Sequence, residues 1–398
     1  MTILFLASRA FTPFRGGIER FSLTLGDRFV ADGHAVYYLS TEEDYDSEEE
    51  RLMYKKDNMS FLPNDKNVNS AQNREYVLSL VKEYEIDILF NQQADNDGWI
   101  SLCEAVKKQI GVKVVTILHF DPYHYTEIFR ASNEKIESSG LPFKQRVGLT
   151  IRNTSIYRYR QFKLFGKVFT HAVNASDAFV LLSEHSRQRL MDMVGKVDER
   201  KIIAISNPVT VGNNSAEISE KKKQLLFVGR MAFLAKRPDL LLEVWKQLYK
   251  DFSDWEMLAL GDGDYLSTLK QLAAEYELQR IQFIGNADSS MYYPYASILC
   301  VTSNSEGFPL VAVEASQNYV VPVAFNSFTA VQDVIKHEHT GFIVPAFDID
   351  AYVSRLRQLM TNPSLLNQMA NNAHEYVSKF NMDNIAPQWY ELFESLMR

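Results

Sequence analysis

The chain runs through one alternation twice: a short, unbroken apolar run, a longer amphipathic stretch, then another apolar run. In the first half the runs are ILFLAS (3–8), AVYYLS (35–40), DILFNQQ (87–93) and KVVTILH (113–119). Helical patterns lie between them, from Ile18 to Ala31, near Arg74–Tyr84 and near Trp99–Gln109. A second series follows Asn207-Pro208, with QLLFVGR (224–230), EMLALGDGD (256–264), IQFIGN (281–286), SILCVTS (297–303), VVPVAF (320–325) and GFIVP (341–345). Short runs that are apolar on both faces, with helices between them, form parallel sheets covered on both sides. The expected fold class is therefore α/β, in two Rossmann-like, doubly wound halves.

Length agrees, because 398 residues exceed the ~250–300 at which single cores stop growing. The first domain is expected over 1–206 and the second over 207–380, with a hinge near 205–210 and a polar boundary segment carrying Gly212, Asn213, Asn214 and Ser215. The stretch 381–398 has an amphipathic pattern (Trp389, Leu392, Phe393, Leu396) that suits a helix returning to the first domain.

Composition narrows the function classes. No apolar run approaches the ~20 residues of a membrane span. The opening MTILFLAS lacks a basic leader and reads as a buried first strand. Cys103 and Cys300 stand far apart, which argues against a disulfide framework or a zinc site and suggests the cytoplasm. A net charge of −8 argues against nucleic-acid binding. Against that background, Lys144, Arg146, Arg152, Arg158, Arg160, Lys163 and Lys167 form a basic island without an acid. Wound as a helix, it gathers Val147, Ile151, Phe162, Phe165 and Phe169 opposite most of the cations, with Arg158 out of place. Two readings stay open: 144–169 lies on an inner-membrane surface, or its aromatic face packs into the core.

The residues suited to chemistry fall at strand ends. Glu306-Gly-Phe-Pro-Leu-Val-Ala-Val-Glu314 sets two carboxylates eight positions apart across a strand end, a loop and a helix start at Pro309. Such a start offers free N–H groups and a positive dipole end to an anion, while the carboxylates suit hydroxyls. Arg230 directly follows the strand QLLFVG, and Lys236 comes six residues later, so the two can bracket a diphosphate. Gly261-Asp262-Gly263 and Gly285-Asn286 bring bare backbone to the same edge, and Gly16-Gly17 lies between the first strand and its helix. The dinucleotide fingerprint G-x-G-x-x-G is absent from both halves, so a nicotinamide dehydrogenase is disfavoured.

Together with His119 in TILHFDP, SEHSRQRL (183–190) and SNPV (206–209), these residues resemble the retaining glycosyltransferases of family four, glycosyl transferases group 1. The resemblance implies the GT-B fold, two Rossmann-like domains facing across a cleft. It implies that Arg230 and Lys236 grip the diphosphate of a nucleotide-sugar, and that Glu306 with Phe308, Pro309 and Leu310 holds the donor sugar. Glu314 would bind the ribose. Gly16 and Gly17 would approach the phosphates, His119 would meet sugar or acceptor, and Gly261, Asp262, Gly285 and Asn286 would lie near the nucleotide. UDP-sugars are preferred and GDP-sugars allowed; the acceptor is a saccharide or lipid-linked saccharide. The implied mechanism is front-face substitution, in which the leaving diphosphate takes the acceptor's proton. No cofactor or metal is expected, and the Asp-x-Asp pairs 44/46, 95/97, 262/264 and 348/350 read as coincidental. A nucleotide-sugar epimerase, a synthase and a non-catalytic saccharide-binding protein of the same fold are the alternatives. One departure stands out: Tyr319 occupies the place where the family has Gly after the second Glu.

Overall fold

The structure, a computed structural model, describes residues 1–13, 16–45, 47–128, 136–137, 139–209 and 218–398. Gly212, Asn213, Asn214, Ser215 and Asp46 lie outside the described residues. The chain divides into two compact units, Met1–Pro122 with Lys163–Thr210 and Asn381–Arg398, and Tyr123–Phe162 with Val211–Phe380.

The first unit is built on a parallel sheet of β1 (Thr2–Ala7), β2 (Ala35–Ser40), β3 (Met59–Phe61), β4 (Ile88–Asn91), β5 (Lys113–Leu118), β6 (Ala178–Leu181) and β7 (Ile202–Ala204), in the order β3-β2-β1-β4-β5-β6-β7. Ile3 stands opposite both Val36 and Ile88, and Ile3 to Ala7 are all buried, which is why that run is apolar without alternation. Helices α1 (Gly17–Ala31), α2 (Ala71–Glu83) and α3 (Asp97–Ile110) connect the early strands. The sequence sets the limits of α3: the Asn96 side chain accepts from the Gly98 and Trp99 amides, and Gly111 ends the helix at φ 73°. The C-terminal helix, Met382–Met397, packs on this unit. Its Trp389 is fully buried, with ring centroids 5.0 Å from Phe90 and 6.4 Å from Phe21.

In the second unit, β8 (Gln224–Val228), β9 (Glu256–Leu260), β10 (Ile281–Gly285), β11 (Ile298–Val301), β12 (Val321–Phe325) and β13 (Phe342–Val344) run in the order β10-β9-β8-β11-β12-β13, again parallel. The segment expected to belong to the first domain, Tyr123–Phe162, groups here instead. The physical reason is burial: Ile136 and Leu149 enter the core that holds Trp245, Met231 and Tyr265, and the Tyr265 hydroxyl donates to the Ser139 carbonyl.

The basic island also differs from one continuous helix. It forms α4 (Phe143–Arg152) and α5 (Ser155–Ala175), broken at Asn153-Thr154, where Thr154 Oγ1 accepts from the Tyr157 amide at 3.3 Å. Its expected aromatic face is split. Phe169 is fully buried in the first unit, whereas Val147 and Ile151 are exposed. Arg158, which broke the helical pattern, donates from Nε to the Thr126 carbonyl at 2.9 Å.

The remaining longer helices are α6 (Pro238–Lys246), α7 (Leu266–Glu275), α8 (Leu310–Gln317), α9 (Ile349–Thr361) and α10 (Pro363–Val377). Tyr319, just past α8, adopts φ 57°, a left-handed conformation that glycine takes without strain. Its ring stacks on His374 at 4.0 Å and 11°, a contact that glycine could not make and that offsets the backbone strain.

Candidate active site

Strand order locates the site in the second unit. The sequence of strands reverses between β8 and β11, and in an open parallel sheet that reversal leaves a crevice at the carboxyl ends of the two strands. The loops leaving them are 229–237 and 302–309, which carry the expected Arg230, Lys236 and Glu306.

These loops are tied to each other. The Asn304 amide donates to the Ala235 carbonyl at 2.7 Å, and Thr302 Oγ1 donates to the Lys236 carbonyl at 2.9 Å. Lys236 Nζ pairs with Glu306 Oε1, which also accepts from Ser303 Oγ at 2.6 Å. A Cβ on Gly229 would lie 3.3 Å from the Lys236 chain, so the lysine runs back over the end of β8. Arg230 is exposed, and among the described residues no carboxylate pairs with it. Arg237, by contrast, is buried beside Asp239 at 2.7 Å and under the Phe233 ring, which makes it structural.

At α8, Pro309 precedes the first turn and no side chain caps it. Phe308 packs its ring edge-on to Phe380 at 5.1 Å, and both Phe308 and Leu310 are buried, so what this turn presents is backbone. Glu314 differs from the expectation of a ribose contact. It has no exposed surface and accepts from the Tyr293 hydroxyl at 3.1 Å.

The glycines serve packing more than ligand approach. Gly261, at φ 130°, would put a Cβ 1.9 Å from the Gly229 carbonyl oxygen; Gly263, at φ 156°, would put one 2.5 Å from that of Met231. Both therefore let the β9 loop close on the β8 loop. Gly285, at φ 84°, faces open space, and Asp262 and Asn286 are exposed at the same edge.

The first unit has its own reversal, between β1 and β4. There Ser8 Oγ donates to Gln93 Oε1 at 2.7 Å, and His119 Nε2 lies 2.5 Å from Gln92 Oε1. Burial pushes the His119 imidazole down to about 3, because a charged ring would lose its water, so it is neutral near pH 7. The Gln92 side-chain nitrogen is buried without a partner among the described residues. Gly16 precedes α1 in an extended conformation (φ 175°); a Cβ there would meet Glu19 Oε2 at 2.9 Å. Gly17 opens the helix, which no side chain caps.

Sequence reasoning missed several neighbours. His124 Nδ1 lies 3.0 Å from Ser305 Oγ, adjacent to Glu306, and Asn304 Nδ2 donates to the carbonyls of Glu127 (3.1 Å) and Ile128 (2.8 Å). His124 sits only five residues beyond His119, in the same polar stretch. Beneath α8, Lys221 Nζ donates to the carbonyls of Tyr293 (2.8 Å) and Asn318, and burial pushes its amine down to about 7. Nothing in the local sequence of Lys221 marks that role.

Comparison with known proteins bears on the family and the fold. The family model Glycosyltransferase Family 4 matches residues 15–212, and the model Glycosyl transferases group 1 matches residues 213–376. An uncharacterized glycosyltransferase of Haemophilus influenzae is 27% identical over 379 residues, covering 94% of this chain and 95% of its own. An alpha-1,4-N-acetyl-D-galactosaminyltransferase of Campylobacter jejuni, named for a saccharide on PP-undecaprenol, is 25% identical over 175 residues, 44% of this chain and 48% of its own. Among solved structures, the Anabaena protein HepE in complex with UDP aligns with a TM-score of 0.72 at 16% identity, over 99% of this chain and 100% of that one, a likeness of fold. With two adjoining family matches from residue 15 to residue 376 and the GT-B fold beneath them, the chain belongs to the glycosyltransferases of group 1 and family 4.

Proposed function

We propose that the chain transfers a sugar, with retention of anomeric configuration, from a nucleotide-diphosphate donor to a saccharide or lipid-linked saccharide in glycan or polysaccharide synthesis. The observation that carries this reading is the exposed Arg230 beside the Lys236–Glu306 pair at the β8/β11 reversal. Arg230 offers a planar fork and Lys236 a point charge, a combination suited to the two phosphates of a diphosphate. When the diphosphate takes Lys236, Glu306 is released to accept from the donor sugar's hydroxyls. The uncapped start of α8 adds backbone N–H groups where negative charge grows.

In the reaction the acceptor hydroxyl forms its bond to the anomeric carbon as the bond to the diphosphate oxygen breaks, and that oxygen takes the hydroxyl proton. Arg230 and Lys236 hold the developing charge, so no metal is required for it. In the first unit, neutral His119 and the Gln92 side-chain nitrogen, without a partner among the described residues, suit an uncharged polyol better than a phosphate. With Gly16 and Gly17, that edge is proposed to contact donor sugar and acceptor. We propose a positioning role for the buried Glu314, which accepts from the Tyr293 hydroxyl. UDP is the preferred nucleotide, a preference supported by the UDP complex of HepE.

Incubating the protein with a panel of radiolabelled UDP- and GDP-sugars and saccharide acceptors, with and without chelator, tests this. The reading predicts label in an α-linked product when the donor is α-linked, undiminished by chelator. Free sugar epimer without transfer would contradict it.

A further inference from the structure

Helix α4 and the first turns of α5 leave large apolar side chains in water. On α4, Phe143, Val147 and Ile151 recur every fourth residue and so share one face, and they are 72%, 42% and 58% exposed. Beyond the break at Asn153-Thr154, Ile156 and Tyr159 are 70% and 62% exposed. The same helix buries Leu149, so its exposed stripe is a second apolar face rather than a poorly packed first one. A single exposed leucine-sized residue needs no explanation, but a continuous group of them does.

Charge identifies the occupant. Lys144, Arg146, Arg152, Arg158 and Arg160 are interleaved with the stripe, and no acid occurs between residues 141 and 170. Among the described residues no carboxylate pairs with Lys144 or Arg160. On a chain of net charge −8, this is the surface that an anionic partner would meet without repulsion. Nucleic acid would use the cations but leave the aliphatic stripe exposed. An acidic lipid surface uses both, since an interfacial helix buries its apolar face at the headgroup boundary while lysine and arginine reach the phosphates. Among the described residues no helix is long and apolar enough to cross a membrane, so such contact is peripheral.

A cavity of about 410 Å³ adjoins the stripe. Lys144, Gly148 and Arg152 line it, each one position on from Phe143, Val147 and Ile151 and hence about 100° round the helix. Its other wall is Ala232, Phe233 and Leu234, from the same loop that carries Arg230, together with Asp264 and Tyr265. Within the second unit, the apolar stripe thus lies next to the phosphate-gripping loop.

We propose that α4 and the start of α5 dock the protein on an anionic bilayer surface, through Phe143, Val147, Ile151, Ile156 and Tyr159 and the cations between them. The inference goes beyond sugar transfer and does not depend on it. If the acceptor is lipid-linked, docking presents it beside the Arg230 loop.

The test is co-sedimentation of the full-length protein with vesicles of phosphatidylcholine alone and of phosphatidylcholine with phosphatidylglycerol, at low and high salt. Wild type is expected to bind only the anionic vesicles and to be released by salt. The double variant Phe143→Ser/Ile151→Ser should lose about tenfold or more in partitioning, and the double variant Lys144→Gln/Arg160→Gln about thirtyfold, at roughly 1 kcal/mol per cation. All four positions avoid the diphosphate grip, so UDP titration and thermal melting of the same samples should be unchanged. Equal binding to neutral vesicles, no binding to anionic ones, wild-type binding by both variants, or self-association that hides the stripe would each overturn the proposal.

Discussion

Both units place their strands in the same order up to the reversal, β3-β2-β1-β4 in the first and β10-β9-β8-β11 in the second, so topology gives each the same crevice. Chemistry separates them. At the second reversal stand an exposed guanidinium and an ammonium–carboxylate pair; at the first stand Ser8, Gln92, Gln93 and a neutral imidazole. Burial leaves the His119 imidazole at that first edge uncharged, with the exposed Arg9, next to Ser8, as its charged neighbour, whereas the second edge combines an exposed guanidinium with an ammonium–carboxylate pair. The lesson is that a doubly wound sheet supplies a place, and the residues at its strand ends decide whether an anion or a polyol is held there.

The largest effect should come from the charged edge. Arg230→Ala is expected to lower kcat/KM by about 10²–10³-fold, the usual loss when one preorganised group facing developing charge is removed. Arg230→Lys should recover only part of it, because the fork is lost. An equal loss from Gln92→Ala in the first unit, measured as nucleoside diphosphate affinity, would break the contrast between the two edges.

Next in size is Glu306 against Glu314. Glu306→Ala should lower turnover at little change in KM by about tenfold to a hundredfold, as expected for an interaction that strengthens in the transition state. Glu314→Ala, which would read as a weakened donor site if Glu314 held ribose, should instead lower stability by about 1–3 kcal/mol, because it removes the buried hydrogen bond from the Tyr293 hydroxyl. Denaturant melts and donor titrations on the same variant separate the two outcomes.

Smaller effects follow from two shifted bases, Lys221 in the second unit and His119 in the first. The Lys221 amine drops from 10.5 to about 7 in the folded chain, so between those values the unfolded chain binds more protons and stability rises with pH. Stability from this group is complete above pH 10.5 and is lost as pH falls toward about 7. Lys221→Met should flatten that slope in melting temperature. His119 behaves alike lower down: its stabilising share is complete above pH 6.5 and is lost as pH falls to about 3. His119→Gln should flatten the acid limb without changing nucleotide affinity.

The long apolar runs made the sheets legible, because residues buried on both faces leave an unmistakable unbroken pattern. The strands β3, β6 and β7 stand outside the runs named from sequence: β3 follows a polar stretch, and β6 and β7 come after a long helix where the alternation lapses. The boundary at 206 followed the second run of strands, but Ile136 and Leu149 gave no sign of which core they would enter. At the site, Arg230, Lys236 and Glu306 were legible because charge at a buried strand's end is conspicuous. The ribose contact of Glu314 is implied by the family resemblance, and sequence spacing alone does not say which face of its helix is covered. Tyr293, Lys221 and His124 came from distant positions that only folding brings to α8 and the β11 loop.

The central claim, that the β8/β11 edge holds a nucleoside diphosphate, is tested most directly by calorimetric titration of UDP and GDP into wild type, Arg230→Ala and the matched first-unit variant Gln92→Ala. Saturable binding of at least one diphosphate to wild type and Gln92→Ala, weakened at least tenfold in Arg230→Ala, is the result expected. Undiminished binding by Arg230→Ala, or no binding of either diphosphate to wild type, would contradict the account.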